Sequence, residues 1–112
     1  MSVRVSRAEN VAVVTLVGDH DIATSHEVRR ALAGLRSVPL VVVELQECTF
    51  MDSTVLGVLA AASRRIAEGG GRLIGVNPSG IVAQALAITG LDELLQTTTD
   101  PPSHSVPVTP GL

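Results

Sequence analysis

The hydrophobic residues of this chain change period as they run along it. From Val3 to Arg7 apolar and polar residues alternate, which is the period of a strand with one wet face. Val11 to Val17 is a β-branched run, and Gly18 reads as its stop. Glu9-Asn10 between these two runs predicts a turn, and hence a hairpin. Beyond the polar loop Gly18-Asp19-His20-Asp21 the period becomes helical. Val28, Ala31, Leu32 and Leu35 share one face, leaving Glu27, Arg29, Arg30 and Arg36 for water. Thr24 reads as the N-cap of this helix, Glu27 completes a capping box, and Pro39 closes the element. Leu40 to Leu45 is almost wholly aliphatic and predicts a strand buried on both faces. Thr49 to Ser53 reads as a turn. Leu56, Leu59, Ala60, Ser63 and Ile66 then mark a second helix, ended by Gly69-Gly70-Gly71. Leu73 to Val76 is a short strand, and Asn77-Pro78-Ser79-Gly80 a turn with Ser79 as cap. Ile81, Val82, Ala85, Leu86 and Ile88 predict a third helix that stops near Gly90, and Leu91 to Leu95 fits a short final helix or strand equally well.

Strand–helix–strand units imply parallel neighbours, and the opening hairpin adds an antiparallel pair. The expected class is therefore α/β, a single domain with a mixed sheet of four to five strands and three to four helices. The domain is expected to occupy residues 1–97. Residues 98–112 are rich in Pro, Thr and Ser and are expected to be a disordered tail.

Composition narrows the possible functions. Of the 112 residues 46% are hydrophobic, enough for one core, and Phe50 is the only aromatic residue. A chain without Trp or Tyr lacks the stacking platforms usual on nucleic-acid surfaces. The net charge is −3 and the arginines are scattered, so no basic stripe points to DNA or to anionic lipid. Cys48, the only cysteine, excludes an internal disulfide and is expected to be a buried thiol at a strand end. No apolar run reaches the roughly 18 residues of a membrane span, and the N-terminal residues show no signal-peptide pattern. A cytoplasmic protein is expected.

The segment Phe50-Met51-Asp52-Ser53-Thr54-Val55-Leu56-Gly57 carries most of the chemical information. It places a hydroxyl between an apolar run and a helix, where unpaired N–H groups favour negative charge. Ser53 can be read as a helix cap, a phosphate acceptor or a nucleophile. For a nucleophile, His20 and Asp21 would have to supply base and orienting acid, yet the Gly-x-Ser-x-Gly elbow is missing. The Gly69–Gly71 triplet runs from helix to strand and lacks the Gly-Lys-Ser/Thr ending of a phosphate loop; the chain has no lysine at all. Asp19, His20, Asp21 and His26 match no calcium or zinc spacing. His20, His26 and His104 each read as a solvated histidine. No metal and no cofactor is expected.

Two segments together resemble the STAS domain family, and within it the bacterial anti-sigma-factor antagonists. Gly18-Asp19-His20-Asp21-Ile22-Ala23-Thr24 is similar to the family's Gly-x-x-Asp-x-x-Thr loop, and Asp52-Ser53-Thr54 to its Asp-Ser-Ser/Thr segment. The Gly70-Gly71-Arg72-Leu73 step into the fourth expected strand, the Asn77-Pro78 turn and Gly90-Leu91 also fit, so the resemblance covers about residues 3–97. It implies a STAS-like fold and a binding module rather than an enzyme. Ser53 is by this resemblance the residue phosphorylated by a partner anti-sigma factor serine kinase. Asp21, Thr24, Asp52 and Thr54 fall at partner-binding positions. The unphosphorylated form would bind the anti-sigma factor and free a sigma factor in a stress response; a phosphatase acting on phospho-Ser53 would reset it. A monomer or weak dimer is expected. The runner-up is a STAS module that senses a small molecule or nucleotide, or scaffolds a signalling assembly. Val55 departs from the family pattern, which has glycine there; this implies a divergent partner surface or a weakened phosphorylation site.

Overall fold

The computed structural model describes residues 2–91. Five strands and three helices follow in the order β1 (Ser2–Arg7), β2 (Val11–His20), α1 (Ser25–Ala33), β3 (Leu40–Glu44), β4 (Cys48–Met51), α2 (Ser53–Glu68), β5 (Arg72–Val76) and α3 (Gly80–Thr89). The sheet runs β1-β2-β3-β5, and β4 pairs with the far end of β2. Only β1 and β2 are antiparallel; the β2–β3, β3–β5 and β2–β4 pairs are parallel. This is the expected α/β class with its mixed sheet and opening hairpin. The expected tail and the short element after Gly90 lie outside the described residues, apart from Leu91.

Strand alternation divides the sheet into two faces. Ala12, Val14 and Leu16 of β2, Val41 and Val43 of β3, and Leu73 of β5 point toward the helices. They form one core with Val28 and Leu32 of α1 and Leu59, Ala62 and Ile66 of α2. The opposite face is a smaller cluster of Val42, Ile74 and Val76, flanked by Val11, Val13 and Leu40. Val41, Val42 and Val43 are all fully buried, as the aliphatic run predicts. The core contains no aromatic ring, since Phe50 is 43% exposed.

The structure corrects the sequence reading in several places. Gly18 does not end β2. Its positive φ of 85° and a register shift at Gly18/Asp19 bend the strand, which continues to His20. The Gly18 N–H donates to the Glu47 carbonyl at 2.8 Å. The segment read as a turn from Thr49 is largely strand β4, in register with that extension (Asp19 opposite Phe50, His20 opposite Met51). Thr24 occupies the N-cap position of α1 but makes no side-chain cap bond, so the capping box with Glu27 does not form. The helix ends at Gly34 rather than at Pro39, while Leu35 and Val38 stay buried beyond it. In α3 Val82 and Leu86 are buried and Ala85 packs partly against the core; Ile81 and Ile88 are 61% and 83% exposed, because the two stand one residue out of phase with that stripe. Ser79 caps α3 as read, accepting from the Val82 N–H at 3.3 Å.

Candidate functional site

All the parallel strands end on the same side of the sheet, and the turns that lead into the helices gather there. β2 delivers the turn Asp21–Thr24, and β4 delivers Asp52 and α2. The two are tied together directly, since the Asp52 N–H donates to the His20 carbonyl at 3.1 Å. Asp21 therefore leaves the sheet beside the segment that carries Ser53.

Asp52, not Ser53, is the N-cap of α2. Its backbone is extended (φ −91°, ψ 178°) and its Oδ1 accepts from the Val55 N–H at 3.1 Å. Ser53 is thereby displaced into the first helical position. Its side chain is exposed, and its hydroxyl bonds to no described residue. A free hydroxyl at a helix start, beside unpaired backbone N–H groups, is reachable by another molecule and tolerates added negative charge. Thr54 is half-buried next to it.

Asp21 is half-buried, and its Oδ1 accepts from the Ala23 N–H at 2.9 Å, which folds the turn. Asp19 is exposed and accepts a hydrogen bond from the Thr49 hydroxyl across the β2–β4 pair. With Asp52 these acids make the site negative. Two large apolar side chains stand among them, Ile22 at 71% exposure in the turn and Phe50 at 43% on β4. Neither was singled out from the sequence. Once β4 is known as a strand, alternation with buried Met51 places Phe50 outward.

Thr24 stands apart from the other positions that the resemblance marks. It is only 7% exposed. Its hydroxyl accepts from the Asp21 N–H at 3.2 Å, and its one proton is shared between the Asp21 carbonyl at 3.2 Å and His20 Nδ1 at 3.1 Å. Thr24 holds the turn from below. His20, read as solvated, is fully buried. Period-two alternation from Ala12, Val14 and Leu16 would have turned it inward had the strand been carried past Gly18. His26 is exposed as read.

Val55 is also fully buried and belongs to the main core. Its side chain lies in the interior beneath α2 and not on the partner surface itself. Cys48 is buried at the start of β4, as read. Among the described residues no three His, Cys, Asp or Glu side chains gather as metal ligands.

The STAS domain model described as "Mlab, STAS domain" matches residues 3–96. The chain belongs to the STAS domain family. Solved STAS structures share its fold at low identity. The anti-sigma factor antagonist SpoIIAA in its unphosphorylated form superposes at TM-score 0.78 with 21% identity, over 88% of this chain and 90% of that one. The phosphorylated form of the Bacillus protein matches at TM-score 0.71 with 20% identity, over 88% and 93%. An anti-sigma factor antagonist from Mycobacterium paratuberculosis matches at 0.79 with 24% identity, over 88% and 86%. The STAS domain of a SulP transporter from Vibrio cholerae matches at 0.66 with 18% identity, over 84% and 77%. At these identities the structural likeness carries the fold alone. The STAS fold thus serves both regulators and a transporter, and no described helix of this chain is long and apolar enough to cross a membrane.

Proposed function

We propose that this STAS domain is an anti-sigma-factor antagonist, switched off by phosphorylation of Ser53 by its anti-sigma factor kinase. The observation that carries the reading is the exposed, unbonded Ser53 hydroxyl at the first turn of α2, released from capping by Asp52. The kinase would dock on the surface formed by Asp21, Asp52 and Thr54, with Ile22 and Phe50 as apolar contacts. Its complementary face would carry basic groups around apolar pockets. A phosphate on Ser53 adds about 1.5–2 negative charges. The helix N-terminus compensates roughly 0.3–1 kcal/mol of that charge, so the fold survives. A docked partner would have to bury a dianion beside two acids. A loss of about 3 kcal/mol already weakens binding more than a hundredfold. Such a switch needs no change of fold.

The test is incubation with the kinase and ATP, read by mass spectrometry. A single phosphate on Ser53, abolished by Ser53→Ala, is expected. Ser53→Asp should weaken kinase binding at least about tenfold and leave the melting temperature within about 2 °C. Phosphate transfer to Ser53→Ala at the wild-type rate would defeat the proposal. A second reading is a module that senses a nucleotide or scaffolds a larger assembly. It draws on the same fold in the SulP transporter domain. Stabilisation of the chain by nucleotides alone, in a thermal-shift series, would favour it.

A further inference from the structure

One buried titratable side chain lies outside the chemistry described so far, and it sits where the two halves of the site meet. His20 is fully buried. Its Nε2 lies 3.1 Å from the Val17 carbonyl and its Nδ1 3.1 Å from the Thr24 hydroxyl. A carbonyl can only accept, so Nε2 carries a proton and donates it. Its own carbonyl accepts from the Asp52 N–H at 3.1 Å, and its backbone is in register with Met51. His20 thus joins three things: the bent end of β2, the Asp21–Thr24 turn, and the segment that begins α2.

The alternatives for this position fail on geometry. An apolar residue of similar size would fill the space but would remove the ring's polar contacts to the Val17 carbonyl and the Thr24 hydroxyl. A hydrolytic base is excluded, because the ring is sealed and both nitrogens face groups of the protein itself. What the ring can do is hold Thr24, and through its hydroxyl the backbone of Asp21, at a set distance from the strand that receives the Asp52 N–H. From these bonds we infer that His20 is a positioning residue: it fixes the Asp21 turn against the Asp52–Ser53 helix start and so sets the shape of the docking surface for the kinase.

The docking consequence rests on the antagonist reading; the positioning itself does not. Three full-length variants test both: His20→Leu, which fills the space without polar atoms, His20→Gln, which retains a donor and an acceptor, and Thr24→Val, which removes the hydroxyl at nearly constant shape. Backbone amide exchange is followed at Asp52 and, as an internal reference, at Leu59 in the middle of α2. His20→Leu and Thr24→Val should each speed exchange at Asp52 about tenfold while Leu59 is unaffected, and His20→Gln should restore it to within about threefold. The amide signals of Asp21–Thr24 and Asp52–Thr54 should shift together in the first two variants. A long-range nitrogen–proton spectrum of the wild type should show a protonated Nε2. Kinase affinity should fall about tenfold in His20→Leu and recover in His20→Gln.

Unchanged Asp52 exchange in both disruptive variants would overturn the inference. So would Leu59 exchange that accelerates as much as Asp52, since that marks general destabilisation. Disturbed exchange with unchanged kinase affinity would overturn the docking role. If the wild-type chain neither binds nor is phosphorylated by the kinase, the antagonist reading fails, and the exchange data still decide whether His20 positions the two segments.

Discussion

Single residues at the start of α2 divide the labour that the motif alone would assign to one serine. Asp52 caps the helix, Ser53 is left free, and Val55 anchors the turn in the core. Each role makes a separate prediction. Asparagine caps as well as aspartate, so Asp52→Asn should leave stability unchanged in urea titration, whereas Asp52→Ala should cost about 1 kcal/mol. If the charge of Asp52 matters for docking, Asp52→Asn alone will alter kinase affinity at constant stability. Val55→Gly should destabilise by roughly 2–4 kcal/mol through a core cavity and lost helix propensity. Phosphate uptake at Ser53, measured well below the melting temperature, should persist. A surface role for Val55 would reverse that pattern.

At the scale of elements, the turn between α2 and β5 is closely packed. A Cβ placed on Gly71 would stand 2.8 Å from the Val38 carbonyl oxygen and 2.9 Å from that of Pro39. Both are backbone atoms and cannot swing away. The Gly71 N–H also donates to the Ile66 carbonyl, and the Arg72 N–H to the Pro39 carbonyl, each at 2.9 Å, so the turn is held from both sides. Gly71→Ala should therefore destabilise by about 1–3 kcal/mol, seen as a lower urea midpoint at constant m-value. The sequence reading took the glycine triplet as a helix end and turn. That is correct for Gly69 and Gly70, the second with φ 91°. The approach of the Val38–Pro39 backbone to Gly71 could not be read locally, because it joins residues more than thirty positions apart.

For the whole molecule, the titration of one group shapes the alkaline limb of stability. Burial raises the Cys48 thiol above its ordinary range, the Phe50 backbone opposes it with a smaller effect, and the Asp19 charge adds a still smaller rise. The folded chain then keeps the thiol proton to a higher pH than the unfolded chain does. Where the native state binds more protons, stability falls as pH rises. The loss should begin above about pH 8.5, where an unfolded thiol ionises. The chain has no lysine or tyrosine to titrate in that range. A falling urea midpoint between pH 8 and 10, flattened by Cys48→Ala, is the expected result. A wild-type curve no steeper than that of the variant would count against it.

What was legible in the sequence rests on local periods and local motifs, although the Thr24–Glu27 capping box and the Ile81 and Ile88 positions of α3 did not follow. The aliphatic runs of β2 and β3, the stripes of α1 and α2, the Ser79 cap and the Asp52-Ser53-Thr54 start of α2 all arise from residues a few positions apart. The first residues of these elements lie close to those read from the pattern, but β2 runs past its expected stop and α1 ends before its own. Only the tertiary structure decided the rest. Strand β4 is four residues long and exists by pairing with the extension of β2 past Gly18, about thirty residues earlier. That pairing turns His20 inward, sets Phe50 outward and brings Asp52 onto the His20 carbonyl. A period is written in neighbouring residues. A short parallel pair is stabilised only when distant segments meet, and at this site their meeting sets which side chains face outward.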